Sequence, residues 1–432
     1  MLALASAALS ACSIFDSGND QAPIQGERIS VLDLERKLEP DQGTSDTRVR
    51  LPRPYVNENW SQSGGTASHA MYHPALPDDL APAWSIDVGE AAEAERPILA
   101  QPVIANGRVF TLDAGSTASA FRVDDGKRLW ARDLNTNNER DGVFGGGIAI
   151  GENRLYATTG LGHVYALDTE TGEIVWEQGV GAPIRSAPTV ADGQVYVITV
   201  RNETVALNAA DGQQLWSHTG IEEQAGLLGF ASPAVAESSV VSAYSSGQLF
   251  ALLADNGRVL WNDNLAGLNR TSQLSDMAHI RGLPVVDRGQ VFAASNSGRM
   301  VSVNLRSGAR TWEAELASAE TPWVGGNYIY VITTNARVAA LRRNDGRVRW
   351  VTQIARYEDP EDREDPITWY GPVLAGDRLI LAGSHELAVS ISPYTGEVLG
   401  SVDLPGAPTV PPVVAGETLY FLTEDATLVA FR

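Results

Sequence analysis

A few side chains of this chain have types and spacings that suit chemistry, but each has a plainer structural explanation. His69 and His73 stand four residues apart, as metal ligands on one helical face do, yet their segment is too rich in Pro and Gly to predict a helix. The acidic run Glu358–Pro366 offers oxygen ligands for calcium without the ordered spacing of a calcium loop, so we expect a solvated, protruding loop. Gly145–Gly147 and Gly160–Gly162 resemble phosphate-binding loops, but tight turns and close strand approach explain them better.

Catalytic motifs are absent from the sequence. There is no GxSxG, HExxH or Walker signature, and none of the 53 acidic residues forms a carboxylate pair that stands out. The formal charge of −21 opposes phosphate binding, and no basic stripe marks a nucleic-acid surface. We therefore predict a protein that is not an enzyme, with no catalytic residue, cofactor, metal site or nucleic-acid partner.

The only cysteine, Cys12, stands where a covalent modification would require it. It follows the apolar, small-residue stretch MLALASAALSA, so residues 1–11 are similar to the end of a bacterial lipoprotein signal. We expect cleavage before Cys12 and acylation of its thiol and new amino group; a buried structural cysteine is the alternative. Ser13, rather than Asp, after the cysteine favours sorting to the outer membrane. The prediction is a lipid-anchored protein on the periplasmic face of the outer membrane.

The residues that follow predict a linker. Residues 12–58 are polar, contain prolines and charges, and are too poor in apolar side chains to form a core. We therefore expect a lipidated, flexible tether over 12–58 that holds the folded domain away from the membrane. Residues 59–81 form a lead-in segment to the repeats. No stretch of about twenty apolar residues predicts a transmembrane helix.

An eleven-residue phrase sets the architecture in which any site must be positioned. Its clearest copy, Ala166–Trp176, reads ALDTETGEIVW, with a small residue first, glycine seventh and tryptophan eleventh. Copies begin at residues 120, 166, 206, 251, 302, 340 and 390, and an eighth begins at 430. The copy at Ser390–Gly400 has glycine in place of tryptophan. This period, built from short alternating strands, is typical of β-propeller blades, and we expect the recurring tryptophans to pack between neighbouring blades.

The two ends of the repeat region predict a closed ring. Ala430–Arg432 begins the eighth phrase, while Pro82–Val88 contains a tryptophan strand that has no phrase of its own. If that strand completes the last blade, no long sheet edge is left open. We therefore predict an all-β fold over residues 82–432, an eight-bladed β-propeller of four-stranded antiparallel blades closed by the N- and C-terminal strands.

The phrase resembles a known motif. AxDxxTGxxxW is similar to the tryptophan-docking repeat of pyrroloquinoline-quinone-dependent dehydrogenases, whose eight-bladed propellers bind quinone and calcium on the central axis. The adjacent cysteine pair typical of the alcohol dehydrogenases among them is missing, since Cys12 is the sole cysteine. A quinoprotein oxidoreductase is therefore one alternative function, and a periplasmic propeller that binds cell-wall material is another.

The whole arrangement is more similar to a second family. A lipoprotein signal, a tether and eight such repeats resemble the outer-membrane protein assembly factor BamB family, and the segment Arg48–Gly65 is similar to its alphaproteobacterial members. The resemblance implies a non-enzymatic scaffold of the machinery that inserts β-barrels into the outer membrane. Its partners would be the periplasmic repeats of the barrel-forming subunit and nascent outer-membrane proteins.

The resemblance places docking residues in two loops. Leu227 and Leu228, before blade four, match the family's leucines, although the arginine that follows them in the family is absent. Before blade five, Leu274–Asp276 matches a Leu-Ser-Asp pattern, and Arg281 is a further candidate contact. Because blades four and five are neighbours, we expect these residues at one rim. The alternative is that the two leucines pack under their own loop.

Overall fold

The computed structural model describes residues 38–44, 48–135, 144–223, 226–266 and 278–432. These residues form β-strands, turns and irregular segments and contain no helix. The described part of the chain therefore has no helix that is long and apolar enough to cross a membrane. The strands build eight four-stranded antiparallel sheets arranged as the blades of a ring, with one additional two-stranded hairpin. The predicted eight-bladed propeller is confirmed.

Each blade is numbered here in chain order, and its strands run from the central channel outwards. Strand β1 (Pro82–Asp87) precedes blade one, which comprises β2 (Val103–Ala105), β3 (Arg108–Leu112), β4 (Thr117–Arg122) and β5 (Arg128–Asp133). Blade two comprises β6 (Gly146–Gly151), β7 (Arg154–Thr159), β8 (His163–Asp168) and β9 (Ile174–Gly179). Blade three comprises β10 (Thr189–Ala191), β11 (Gln194–Ile198), β12 (Glu203–Asn208) and β13 (Gln214–Thr219). Blade four comprises β14 (Ala234–Ala236), β15 (Ser239–Ala243), β16 (Gln248–Leu253) and β17 (Val259–Asn264).

The remaining blades follow the same plan. Blade five comprises β18 (Val285–Asp287), β19 (Gln290–Ala294), β20 (Met300–Asn304) and β21 (Arg310–Ala314). Blade six comprises β22 (Trp323–Gly325), β23 (Tyr328–Ile332), β24 (Arg337–Arg342) and β25 (Val348–Gln353), and a hairpin of β26 (Tyr357–Asp359) and β27 (Glu364–Pro366) follows it. Blade seven comprises β28 (Trp369–Ala375), β29 (Arg378–Gly383), β30 (Leu387–Ile391) and β31 (Val398–Asp403). Blade eight contains β32 (Val413–Ala415), β33 (Thr418–Leu422) and β34 (Thr427–Phe431), and β1 is its outer strand.

The repeated tryptophans pack between neighbouring blades at seven of the eight junctions, as predicted. The indole N–H of Trp176, in blade two, donates a hydrogen bond to the carbonyl of Ala209 in blade three at 3.0 Å. The same bond recurs at seven junctions, always to the fourth residue of the next phrase: Trp84 to Val123, Trp130 to Thr169, Trp176 to Ala209, Trp216 to Ala254, Trp261 to Leu305, Trp312 to Arg343 and Trp350 to Pro393.

The phrase glycine is the other half of this junction. Gly212 has a φ of +76°, and a Cβ added there would lie 2.7 Å from the Trp176 ring. At five other junctions the incoming tryptophan lies 2.5–2.6 Å from the Cβ added at the seventh residue of the next phrase. At Gly126 the Trp84 ring is 3.3 Å away and Ile86 lies closer, at 2.6 Å. Glycine is therefore needed both for the left-handed turn and for the close approach of the ring.

The ring is closed as the sequence predicts. Strand β1 pairs antiparallel with β34, and Trp84 lies opposite Ala430. Beyond the strands, Ala81 and Arg432 exchange two backbone hydrogen bonds of 2.8 and 2.9 Å. Blade eight therefore takes its first three strands from one end of the repeat region and its fourth from the other.

The lead-in segment lies across one end of the channel and contacts the blades in turn. Trp60 exchanges two 2.8 Å backbone bonds with Ile104 of blade one, and its ring stacks on Trp323 of blade six at 6.3 Å. Further backbone bonds join Ser61 to Ile150, Ala67 to Val235, Ser68 to Val286, Pro74 to Gly376 and Asn57 to Gly416, while the Gln62 side chain bonds to Val190. Residues 57–76 thereby reach all eight blades.

The two faces of the ring are therefore different. In an antiparallel blade, the turns after the first and third strands lie at one end, and the loops that enter the next blade lie at the other. The lead-in contacts fall at the ends of first strands, such as Gly376 and Gly416. We call this side, covered by residues 57–76, the closed face; the opposite side, which carries the inter-blade loops, is the open face.

Part of the predicted tether is folded against the ring. The Asp41 N–H donates to the Val348 carbonyl at 2.9 Å, and Asn57 bonds to Val414 and Gly416 in blade eight. The compact unit that contains the ring spans Leu38–Arg432, so it includes the last part of the predicted tether over residues 12–58. Polar side chains satisfy backbone groups at blade edges here, which a search for apolar core residues does not detect.

Candidate docking face

The open face is built from the loops between blades. The described parts of these loops include residues 220–223 and 226–233 before blade four, 278–284 before blade five, 315–322 before blade six and 354–368 before blade seven. The acidic run predicted as a protruding loop forms the β26–β27 hairpin, and nearly all its side chains are exposed. Rigid blades hold these loops at their two ends, so their side chains are presented in fixed positions.

The blade-four and blade-five loops meet on this face. The Leu227 backbone N–H donates a 2.8 Å hydrogen bond to Nδ1 of His279, 52 residues later. Phe230 packs against the same imidazole, with ring centroids 4.9 Å apart. The predicted proximity of the two loops is therefore present, and a side chain that the sequence did not single out, His279, makes the link.

Leu227 and Leu228 have different surroundings. Leu227 is half-buried, whereas Leu228 is 51% exposed. Packing under the loop therefore buries part of the Leu227 side chain and little of the Leu228 side chain. Asp276, the third residue expected at this rim, lies outside the described residues, as does Cys12.

His279 is a neutral structural group rather than a surface histidine. Its ring is fully buried, and burial, reinforced by the nearby positive charge of Arg281, lowers its pKa from 6.5 to about 4. Because Nδ1 accepts the Leu227 N–H, the proton resides on Nε2. The histidine therefore stays uncharged at neutral pH and keeps the two loops joined.

Arg281 is engaged within the protein itself. Its Nε donates to the Ala319 carbonyl at 3.0 Å, and its terminal nitrogen forms an ion pair with buried Glu320. These contacts tie the entrance of blade five to that of blade six. Arg281 remains about a quarter exposed, so it lines the rim but is less available to a partner than its sequence position suggested.

A second arginine at the channel mouth was missed by the sequence reading. The Arg185 guanidinium lies 4.2 Å from the centre of the Phe144 ring, and it forms no ion pair with any acid in the described part of the chain. Burial lowers the pKa of Arg185 below its ordinary value. The sequence contains a signal for it, because Arg185 and Arg281 each stand three residues before the proline that directly precedes a first strand, Pro188 or Pro284.

The channel beneath this mouth is small. It encloses a cavity of about 140 Å³ whose floor is formed by Trp60, Gly64 and His69 of the lead-in segment. His69 is held there by a 2.7 Å hydrogen bond between Nδ1 and the Pro284 carbonyl, and burial lowers its pKa to about 4.

The other histidine of the candidate pair is equally structural. His73 donates from Nδ1 to the Pro52 carbonyl and accepts the Asp377 N–H at Nε2. Within the described ranges, no three His, Cys, Asp or Glu side chains are grouped so that they could hold a metal ion.

Comparison with known proteins identifies the family. The sequence pattern that defines the outer membrane protein assembly factor BamB family matches residues 119–352. The protein of that name from Escherichia coli (strain K12) is 28% identical over 355 residues, which cover 80% of this chain and 87% of the relative.

Solved structures support the same fold. The crystal structure of BamB from Moraxella catarrhalis superimposes with a TM-score of 0.71 at 19% identity, covering 82% of this chain and all of that one. Quinohemoprotein alcohol dehydrogenase from Comamonas testosteroni gives a TM-score of 0.65 at 14% identity, covering 87% and 80% of the two chains. The structural likeness is thus shared by both families, whereas the sequence match distinguishes them: this chain belongs to the BamB family of outer membrane protein assembly factors.

Proposed function

We propose that this chain is a non-enzymatic scaffold subunit of the machinery that assembles β-barrels in the outer membrane. The open face would dock on the periplasmic repeats of the barrel-forming subunit. The observation that carries this proposal is the link between Leu227 and His279, which holds an exposed leucine at the junction of two blade-entry loops. The closed face, by contrast, is already occupied by the protein's own residues 57–76.

Membrane attachment belongs to the same proposal. Acylation of Cys12 would fix the chain to the periplasmic side of the outer membrane, and residues between Cys12 and Leu38 would connect that anchor to the folded unit. The anchor and the docking face would then act together, because attachment to one surface raises the effective concentration of one subunit near the other.

The chemistry of the open face suits a partner with an apolar centre and basic surroundings. Leu228 supplies an exposed apolar contact, while the β26–β27 hairpin carries six acidic side chains, at positions 358, 359, 361, 362, 364 and 365. A formal charge of −21 would speed association with a basic surface. The leucines would contribute affinity, and the acidic groups would contribute orientation and association rate.

The structural likeness to quinohemoprotein alcohol dehydrogenase raises oxidoreductase activity as a second candidate. The channel geometry favours the scaffold instead. Ligand sites usually provide a cavity of about 300–1,000 Å³, whereas this cavity measures about 140 Å³ and the lead-in residue Trp60 lies at its floor.

A pull-down from membranes tests the scaffold proposal. The tagged, lipidated full chain is compared with a variant carrying Leu227→Ala, Leu228→Ala and Asp276→Arg, and the barrel-forming subunit is quantified in each eluate. Loss of a buried interface residue weakens binding by roughly five- to thirtyfold, and the reversed charge adds repulsion. We expect the variant to lose the subunit while its melting temperature stays within about 2 °C of the parent's, a change typical of surface substitutions.

A matched control makes this result specific. Leu129→Ala, Leu215→Ala and Asp255→Arg change two similarly exposed leucines and one exposed acid away from the blade-entry loops. This control should recover as much subunit as the parent does. Full recovery by the open-face variant would place the interface elsewhere, and equal loss by both variants would show a general effect of charge.

A further inference from the structure

The outer strand of blade seven differs from the other outer strands. All six residues of β31 are exposed, and Val398, Leu399 and Val402 are 55%, 57% and 54% exposed. Gly400 occupies the position of the docking tryptophan, and a Cβ added there would meet no atom within 4 Å. Val398 pairs with Ile391 and Gly400 pairs with Ser390, so a bulge at Leu399 interrupts the alternation and places Val398 and Val402 on opposite faces of the strand. Each face of β31 therefore presents one exposed valine.

Blade six shows what such a strand looks like when a further segment covers it. Val348 pairs with Leu341 in the register in which Val398 pairs with Ile391, so the two valines are equivalent. Val348 is nevertheless only 7% exposed. The difference arises from residues 38–44, which lie against Val348 from outside the blade.

Those residues also use the backbone edge of blade six. The Asp41 N–H donates to the Val348 carbonyl at 2.9 Å, and the Val348 N–H donates to a carboxylate oxygen of Asp41 at 2.7 Å. The Thr44 hydroxyl donates a third bond to the same carbonyl. The backbone at this register therefore faces outwards and binds a non-blade segment. At Val398, no described residue outside blade seven forms such a bond.

The sequence of β31 is also poorly protected against strand pairing. Natural outer edges commonly carry charged side chains or proline, which discourage the addition of another strand. The positions equivalent to Val398 and Val402 are occupied by Arg128 and Arg132 in blade one, and by Pro82 and Ile86 in blade eight. Among the seven complete phrases, blade seven alone has valine at both.

We propose that the outer strand of blade seven binds an extended segment of a client polypeptide by strand addition. The segment would pair its backbone with the free edge at Val398 and place its apolar side chains against Val398 or Val402, according to the face on which they lie. A strand of an unfolded outer-membrane barrel has this chemistry, because apolar and polar residues alternate along it. The identity of the client rests on the proposed scaffold function, whereas the binding edge rests on the comparison between blades six and seven.

Peptide binding to the purified full chain tests this proposal without the barrel-forming subunit. The probe is a fluorescent ten-residue peptide of alternating Val and Thr flanked by lysines. Its matched control has the same sequence and charge but is N-methylated at alternate residues, which removes the donors of one edge. We expect anisotropy titrations to show at least about tenfold weaker binding of the methylated peptide, or about 1.4 kcal/mol.

A proline substitution locates the binding edge. Val398→Pro removes the outward N–H, and edge strands tolerate proline there, as Pro82 shows at the equivalent register of blade eight. Val259→Pro is the matched control, since Val259 occupies the same register in blade four and is 40% exposed. We expect Val398→Pro to weaken peptide binding at least about tenfold and Val259→Pro to change it less than about twofold.

Several results would overturn the proposal. They are equal binding of the two peptides, equal effects of the two proline variants, or no binding to the parent at millimolar peptide. Should Val398→Pro unfold, Val398→Thr with Val402→Thr keeps the strand shape and should still weaken binding several-fold. Concentration-dependent dimerisation abolished by Val398→Pro would identify a second copy, rather than a client, as the occupant. Failure of the open-face pull-down with intact peptide binding would refute the docking proposal alone.

Discussion

The junction between blades six and seven and the junction between blades seven and eight are built differently. At the first, the Trp350 indole donates to the Pro393 carbonyl and lies against Gly396. At the second, the tryptophan position holds Gly400, and blade eight has no phrase turn to receive an indole, because β1 supplies its outer strand. The donor and its receiving turn are therefore missing together. The phrase is a two-part joint between successive blades, and its one degraded copy follows from how the ring closes.

Other contacts hold the second junction. The largest apolar cluster of the described chain includes Trp350, Trp369 and Tyr420, and so spans blades six to eight. On the closed face, Pro74 bonds to blade seven at Gly376 and Asn57 bonds to blade eight at Gly416. Interior packing and the lead-in segment therefore hold blades seven and eight together where the tryptophan joint is missing.

Removing the closing strand should have the largest effect on this arrangement. Deletion of all residues before Ser85 removes Trp84, part of β1 and the lead-in segment that reaches every blade. The eighth blade would lose its outer strand, and the junction between blades seven and eight would lose the lead-in contacts that help to hold it. We expect aggregation or a large loss of thermal stability, measured by light scattering and calorimetry.

A shorter deletion provides the control for that experiment. Removing residues 1–37 leaves the folded unit that begins at Leu38. Its melting temperature should stay close to that of the full chain. If the deletion before Ser85 is as soluble and stable as this control, the ring does not depend on its closing strand.

Breaking one regular joint should have an intermediate effect. Trp216→Ala removes the 2.7 Å hydrogen bond to Ala254 and leaves a cavity between blades three and four. Truncation of a buried tryptophan costs about 3–5 kcal/mol. Gly257→Ala attacks the receiving half, because a Cβ there would lie 2.5 Å from the Trp216 ring and the residue has a φ of +71°.

The double variant tests whether the two halves act as one joint. With Trp216 already replaced by alanine, Gly257→Ala no longer causes a clash and should cost only the backbone strain, about 1–2 kcal/mol. Chemical denaturation of the parent, the single variants and the double variant should therefore give a non-additive result. Strict additivity would show that the indole and the glycine act independently.

The same contrast explains what the sequence could and could not reveal. Blade number, the tryptophan joints and closure by Trp84 were predictable because each is repeated or conspicuously missing from a repeat. The contact in which Asp41 covers Val348 was not predictable, because it joins residues more than three hundred positions apart through one polar side chain. The pairing of Arg281 with Glu320 was equally hidden, because neither residue belongs to the repeated phrase.

At the candidate site, the sequence predicted the rim but not what orders it. The loops of blades four and five were expected to meet, yet the link is made by His279, whose role depends on its burial and on accepting the Leu227 N–H. Arg185 was overlooked although it shares its position before a first-strand proline with Arg281. Long-range polar contacts of this kind carry no periodic signal.

Placing tryptophan at the junction between blades seven and eight should have the smallest effect on stability. Gly400→Trp places an indole where space is open, but blade eight offers neither a fourth-residue carbonyl nor a seventh-residue glycine to receive it. Gly400→Tyr is the matched control, because tyrosine has a similar strand preference without an indole N–H. The two variants should differ by no more than about 0.5 kcal/mol in unfolding free energy, as surface substitutions do. If the tryptophan variant were more stable than the tyrosine variant by over about 1 kcal/mol, the size of a net hydrogen bond, blade eight would contain a receiving surface after all. The joint would then depend on the indole alone rather than on two matched halves.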